Sequence, residues 1–265
     1  SNFNLILKSQ KKNKNIVITE NKFSFLNLLA KKLKAEIIEH RNYIGGRYSV
    51  LSEVGMLPAQ LLGLNDAKFK RLNNLIKNKS FLNSLIYNVS FILKCISKGK
   101  KNSVILNYDE DSENLFKWYQ QLIAESLGKK NKGIFPIISS MPKDNHSLLQ
   151  LYLDGPKNNF FTFFGVIKEK SSKLNNNNLF GKFSNLKNKS LSQITKAQRY
   201  ATQRVFKRKQ IPFRSFEVLK RNEESIGELF SFFILETILL GKALNINPFD
   251  QPSVELIKTE TKKLF

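Results

Sequence analysis

Four short segments of this chain hold residue types that catalysis uses. In Gly45-Gly46-Arg47-Tyr48-Ser49, two glycines that let backbone approach a ligand closely precede a cation. Ser49 reads as the cap of a following helix, so Arg47 would sit where it could stabilise a developing oxyanion. The same residues also read as a tight turn with an exposed arginine. Glu125-Ser126-Leu127-Gly128-Lys129 closes a predicted helix, with Gly128 placed to end it in the left-handed conformation. Leu115, Trp118 and Leu122 mark an apolar stripe, and Glu125 continues it at a spacing of three. A carboxylate on an inward stripe is costly unless paired or functional. Burial and the helix's negative end raise its pKa toward that of a general base, and neighbouring cations pull it back. A structural salt bridge is the alternative.

The third segment is Asp144-Asn145-His146-Ser147-Leu148-Leu149-Gln150. The chain has two histidines, and His146, at a predicted helix start, is the candidate acid–base group, though a lone histidine also reads as structural. His40 lies in a charged turn and reads as solvated. Neither has a companion at metal-ligand spacing, which argues against a zinc site. The fourth segment, Phe249 to Lys258 (FDQPSVELIK), puts Gln251 just before a terminal helix and Lys258 on the same side of it, seven residues on. Outside that context the lysine would read as solvated.

The elements that must position these residues follow from periodicity. Ile16 to Thr19 reads as a strand, Phe23 to Leu33 as a helix and Ala35 to Ile38 as a second strand, the rhythm of a parallel α/β sheet. Beyond the Gly45-Gly46 break, helices are predicted over Ser49 to Leu62, Lys68 to Lys77 and Phe81 to Ser97. Strands Val104 to Leu106, Ile134 to Ile138, Phe160 to Ile167 and Phe213 to Val218 then alternate with helices Glu113 to Leu127, His146 to Leu153 and Leu191 to Lys209. Lys168 to Lys189, with the run Asn175 to Asn178, reads as a long polar loop. A long apolar helix, Glu223 to Lys242, and a terminal one, Ser253 to Phe265, complete the chain. Such a sheet binds ligands beyond the carboxyl ends of its strands.

The formal net charge of +23 first reads as a polyanion-binding surface. The basic residues are 36 Lys and 8 Arg, dispersed along the chain. Arginine's planar fork is the usual tool for phosphates and base edges, so the balance argues against a specific nucleic-acid partner. Cys95, the one cysteine, cannot form an internal disulfide, and a reducing, cytoplasmic setting is expected. The apolar run near Phe230 to Leu240 is interrupted by Glu236 and too short to span a bilayer, so no membrane partner is expected.

In order along the chain, GGRYSVLSEVG (Gly45 to Gly55), ESLGK (Glu125 to Lys129), NHSLLQ (Asn145 to Gln150) and FDQPSVELIK resemble the signatures of the phosphoglucose isomerase family in its short bacterial form. Pro142 and Gly155-Pro156 stand where that family places them. The resemblance covers essentially the whole chain. It implies two sugar-isomerase (SIS) domains, each a three-layer α/β/α sandwich with a mostly parallel sheet. Residues 1–62 would be the end of the first, 63–220 the second and 221–265 a C-terminal helical arm. The implied reaction interconverts glucose 6-phosphate and fructose 6-phosphate without metal or organic cofactor. By the same resemblance Glu125 moves the proton between C2 and C1, and Arg47 stabilises the cis-enediolate. His146 and Lys258 assist ring opening, and Gly46, Arg47 and Gln251 hold the sugar phosphate. The histidine comes from a neighbouring subunit, which implies a homodimer. The family's Ser/Thr-rich phosphate loop has no counterpart in these residues, and Asn4 to Lys11 would be a remnant of the helix that follows it, so a C-terminal fragment, inactive when isolated, is expected. The alternative is a non-catalytic SIS module that binds sugar phosphates, which would have no need of the base.

Overall fold

The computed structural model describes residues 15–168, 171–173, 186 and 188–264. Asn4 to Lys11, and most of the polar stretch with Asn175 to Asn178, lie outside these. The chain divides into two units, Ser1–Asp66 and Ala67–Phe265. The expected boundary at residue 62 therefore falls four residues before the division at Asp66.

In the first unit β1 (Ile16–Thr19) and β2 (Glu36–Glu39) pair in parallel, Ile16 opposite Glu36. Helix α1 (Phe25–Lys32) joins them, with the Ser24 side chain accepting from the Asn27 backbone N–H at its start. The predicted continuous helix from Ser49 to Leu62 is in fact a 3₁₀ turn over Gly46–Leu51 followed by α2 (Glu53–Leu61). Side chains cause the break. Ser49 Oγ donates to the Gly46 carbonyl at 2.7 Å and Ser52 Oγ to the Ser49 carbonyl at 2.8 Å, while Ser52 itself is extended. These local bonds compete with helix continuation. Gly55 then packs so closely on the preceding turn that an added Cβ would lie 2.0 Å from the Val50 carbonyl oxygen. Only glycine fits there, which accounts for the last residue of GGRYSVLSEVG.

The second unit opens with single-turn helices α3 (Asp66–Phe69) and α4 (Leu72–Leu75), where one helix over Lys68 to Lys77 is predicted. Helix α5 (Lys79–Ser97) follows. Four parallel strands, β3 (Asn102–Asn107), β4 (Phe135–Ser140), β5 (Asn159–Val166) and β6 (Phe213–Val218), form one sheet in the order β4-β3-β5-β6. The connections contain α6 (Glu113–Leu127), α7 (Leu149–Asp154) and α8 (Leu191–Arg208), and α9 (Glu223–Ala243) and α10 (Pro252–Lys263) complete the unit.

Alternation along the strands builds three layers. Val104, Leu106, Phe161, Phe163 and Phe213 face Tyr152 of α7 and Phe206 of α8. On the other face, Phe160 meets Phe91 of α5 and Phe164 meets Phe116 of α6, which in turn meets Phe233 of α9. The fold is thus α/β with a parallel sheet between helical layers. Helix α9, assigned by resemblance to an arm, lies in the core of this unit, with Phe232, Phe233, Glu236 and Leu240 buried. Helix α5 is long and apolar enough to cross a membrane by length and composition, but Phe81, Leu85, Val89 and Ile92 bury its stripe in the unit.

Candidate active site

Arg47 lies in the 3₁₀ turn of the first unit. It is buried, 3% exposed, with its guanidinium carbon 5.3 Å from the Tyr48 ring centroid. This overturns the exposed-arginine reading. Neither Gly45 nor Gly46 has a positive φ, and a Cβ on Gly46 would meet nothing within 4 Å. Protein packing therefore does not demand glycine at that position. Ser49 does not cap α2, since its hydroxyl turns back to Gly46. His40, expected to be solvated, is largely buried. Its Nδ1 meets the Glu53 carboxylate and its Nε2 lies 2.9 Å from the Ile44 carbonyl, because the turn after β2 folds back on the start of α2. Burial pushes the Glu53 carboxyl up, but its backbone bond and His40 outweigh this and hold it below the usual range.

Glu125 occupies the last turn of α6 and is half-buried. The buried stripe runs through Leu115, Tyr119, Leu122 and Ser126, so Glu125 and Trp118 stand at its margin rather than within it. Gln121 Nε2 donates to Glu125 Oε1 at 2.9 Å. Gly128 is not left-handed: its φ of −75° and ψ of 63° form a tight turn closed by the bond from Lys129 N to the Leu127 carbonyl. Glycine is required there by space, since a Cβ would lie 2.6 Å from the Ala124 carbonyl oxygen. Left-handed backbone comes later, at Lys130, Asn131 and Gly133.

Connectivity places these groups at different edges of the sheet. Helix α6 starts beyond the carboxyl end of β3 and runs back to the amino end of β4, where Gln120 Nε2 donates to the Pro136 carbonyl at 2.8 Å. Glu125 is therefore at the amino edge, not at the carboxyl edge expected for a ligand site in such a sheet. Helix α9 also runs back from the carboxyl edge, so the loop leading to Gln251 reaches the same amino edge. There Lys129, two residues past the end of α6, bonds the carbonyls of Asn247 and Asp250 and the Asp250 carboxylate. Gln251 is half-buried at the start of α10 and Lys258 is exposed along it.

His146 stands beyond the carboxyl end of β4, with an exposed side chain. The helix predicted from His146 to Leu153 is shorter, a 3₁₀ turn (Lys143–Asn145) and then α7. Asp144 organises that turn: one carboxylate oxygen accepts from Ser139 Oγ and Ser140 N, both at 2.8 Å, and the other from Ser147 Oγ at 3.1 Å. The chain brings Glu125 and Gln251 to one edge and His146 to the other.

Sequence reasoning missed a buried polar cluster in the second unit. Arg214 of β6 and Glu236 of α9 pair directly, Tyr119 OH donates to Glu236 at 2.9 Å, and Arg214 also donates to Thr162 and Asn88. Burial and the Glu236 charge push the Tyr119 hydroxyl far up. The signal was present, since Glu236 interrupts an otherwise apolar helix.

This α/β protein carries a half-buried glutamate at a helix end, a buried arginine in a 3₁₀ turn and an exposed histidine beyond a strand, residue types that proton-transfer enzymes use. The chain belongs to the phosphoglucose isomerase family, whose sequence model matches residues 31–265. It is similar to the glucose-6-phosphate isomerase of Methanocaldococcus jannaschii, 31% identical over 257 residues, covering 88% of this chain and 60% of that protein. It is also similar to that of Mycoplasmopsis pulmonis, 34% identical over 228 residues, covering 83% and 53%. The chain thus spans between half and three fifths of the length of these relatives. In fold it matches a hypothetical protein from Thermus thermophilus with a TM-score of 0.87 at 24% identity, covering 98% of this chain and 66% of that one. A glucose-6-phosphate isomerase from Chlamydia trachomatis matches with a TM-score of 0.68 at 18% identity, covering 94% and 52%.

Proposed function

We propose that this chain supplies the proton-transfer machinery of an isomerase that interconverts glucose 6-phosphate and fructose 6-phosphate. In this reading the Glu125 carboxylate takes the proton from C2 of the open-chain aldose and returns it to C1. The intermediate cis-enediolate carries negative charge on oxygen, which Arg47 stabilises from a buried, pre-ordered position. His146 and Lys258 move the proton at the ring oxygen when the sugar ring opens, and Gln251 with the Gly46 backbone holds the substrate. His146 acts on the site of a partner subunit. The observation that carries the reading is the placement of Glu125: a half-buried carboxylate at a helix end, tied through Lys129 to the loop that presents Gln251, in a chain of this family. A module that only bound sugar phosphates would not need that base.

Glu125→Gln tests the assignment. In the active protein it should preserve the fold and lower turnover by about three orders of magnitude, the scale of losing a positioned base. Retention of more than about a tenth of the activity would remove Glu125 from that role.

A further inference from the structure

Two motif residues take no part in these proton transfers. Lys129 closes ESLGK and Asp250 belongs to FDQPSVELIK, and the fold brings them together across 121 positions. The Lys129 side chain is 11% exposed, and its ammonium meets three acceptors: the carbonyls of Asn247 and Asp250 and the Asp250 carboxylate. An ammonium has three donors, and all three are used. Three residues on, Lys132 Nζ donates to the Leu244 carbonyl at 2.9 Å. Within the loop, Phe249 N donates to Asn247 Oδ1 at 3.1 Å. The segment from Leu244 to Asp250 is thus gripped at both ends from the turn that succeeds α6.

Every described side chain of α10 is exposed, so the bonds made just before its first turn contribute to its direction. Gln251 is the residue immediately after the Lys129 grip, and Lys258 lies two turns further along the helix. Glu125 is four residues before Lys129, on the other side of the tight turn at Gly128. We infer that Lys129 is a positioning residue, which sets α10, and with it Gln251 and Lys258, relative to the base Glu125. A lysine suits this better than an arginine, because its acceptors surround a point and do not lie in the plane of a guanidinium fork. The inference rests on the proposed isomerase function for its catalytic consequence, but its structural half stands apart from it.

The test measures position first. Nitroxide labels on Lys117→Cys and Lys262→Cys, with the buried Cys95 left in place, report the distance between α6 and α10 in the full chain by pulsed electron resonance. A single narrow distribution is expected with Lys129 present. Lys129→Met should broaden it, Lys129→Arg should not restore it, and Asp250→Asn, which keeps both carbonyl acceptors, should fall between. If Lys129→Met does not fold, Lys129→Gln takes its place. An unchanged, narrow distribution in the folded variant would overturn the inference. The second readout separates positioning from general damage. A four-carbon aldose phosphate cannot close the six-membered ring and does not need Lys258 for ring opening. Lys129→Met should lower kcat/KM for glucose 6-phosphate by about a hundredfold, the scale of an ångström-sized misplacement, and by less for the open-chain substrate, which loses the hold of Gln251 but has no ring to open. Equal losses on both substrates would count against the proposal. Absence of isomerase activity in the unmutated protein would sink the functional reading and leave the distance result to judge Lys129.

Discussion

Arg214 on β6 and Glu236 on α9 form an ion pair sealed in the core, the arginine side chain 4% exposed and the glutamate 0%. Thr162, Asn88 and Tyr119 complete the arginine's bonds, so the cluster joins the sheet to α5, α6 and α9. Taking one partner away strands a buried charge, which costs about 3–5 kcal/mol. Glu236→Leu alone should therefore destabilise the second unit by that amount in chemical denaturation. Arg214→Met with Glu236→Leu should recover most of the loss, because matched apolar side chains need no pairing. A double variant no more stable than the single one would mean that the remaining polar partners, not the ion pair, dominate.

Gly165 and Arg199 pose the opposite problem, one of space. Arg199 of α8 is 1% exposed and pairs with Glu217 at 2.9 Å. Its guanidinium lies against the β5 backbone, where a Cβ on Gly165 would come within 2.7 Å of the Cζ and Nη1 atoms. Gly165→Ala should cost about 1–3 kcal/mol, the usual range for overpacking. Combined with Arg199→Met, the two penalties should sum to less than their separate values, since they share one contact. Strict additivity by thermal or denaturant unfolding would place the strain elsewhere.

These two arginines mark where sequence reading ran out. The helix Glu113 to Leu127 was legible to the residue through its 3.6-period apolar stripe, and the strand Phe213 to Val218 through its aromatic and β-branched residues, although its one buried side chain is Arg214. Arg199 and Arg214 counted only toward the +23 charge, although both are interior. No periodicity reveals that a strand arginine finds a glutamate on a helix further on. The break at Ser52 was equally hidden, since it depends on hydroxyls choosing backbone carbonyls. For the site, the motifs pointed to Glu125, Gln251 and His146 as residues. The Lys129 and Asp144 bonds that hold their loops, and the separation of Glu125 from His146, emerge only once the chain is folded.

The Lys129–Asp250 contact should be lost in acid. The bond from Lys129 holds the Asp250 carboxyl below the usual aspartate range, and Lys209 does the same for Asp154. A depressed folded pKa means stability that is present above the unfolded value and lost as pH falls through the folded one. Both contacts should therefore be intact at neutral pH and weaken progressively below about pH 4. In unfolding measurements across that window, Asp250→Asn and Asp154→Asn should each give a flatter acid limb than the unmutated chain. An unchanged limb in both would mean that other carboxylates set the acid response.

Glu125 reaches the amino edge of the sheet at the end of α6, and His146 lies past the carboxyl end of β4. Six residues of β4 lie between those edges, roughly 17–20 Å at the usual rise of a strand. A side chain spans about a third of that, so one chain would not present both groups to the same sugar. Two copies can, if the exposed His146 of one faces the amino edge of the other. Subunits carrying Glu125→Gln and subunits carrying His146→Ala should each be inactive alone. Mixed and allowed to exchange, they should recover up to about a quarter of the unmutated activity, since half the subunits are then in mixed pairs and each pair has one intact site. The check is a turnover assay after exchange, with mixed pairs verified by differential tagging. Verified mixed pairs with no activity would place Glu125 and His146 in the same subunit's site and require the fold to bend where the sheet now keeps them apart.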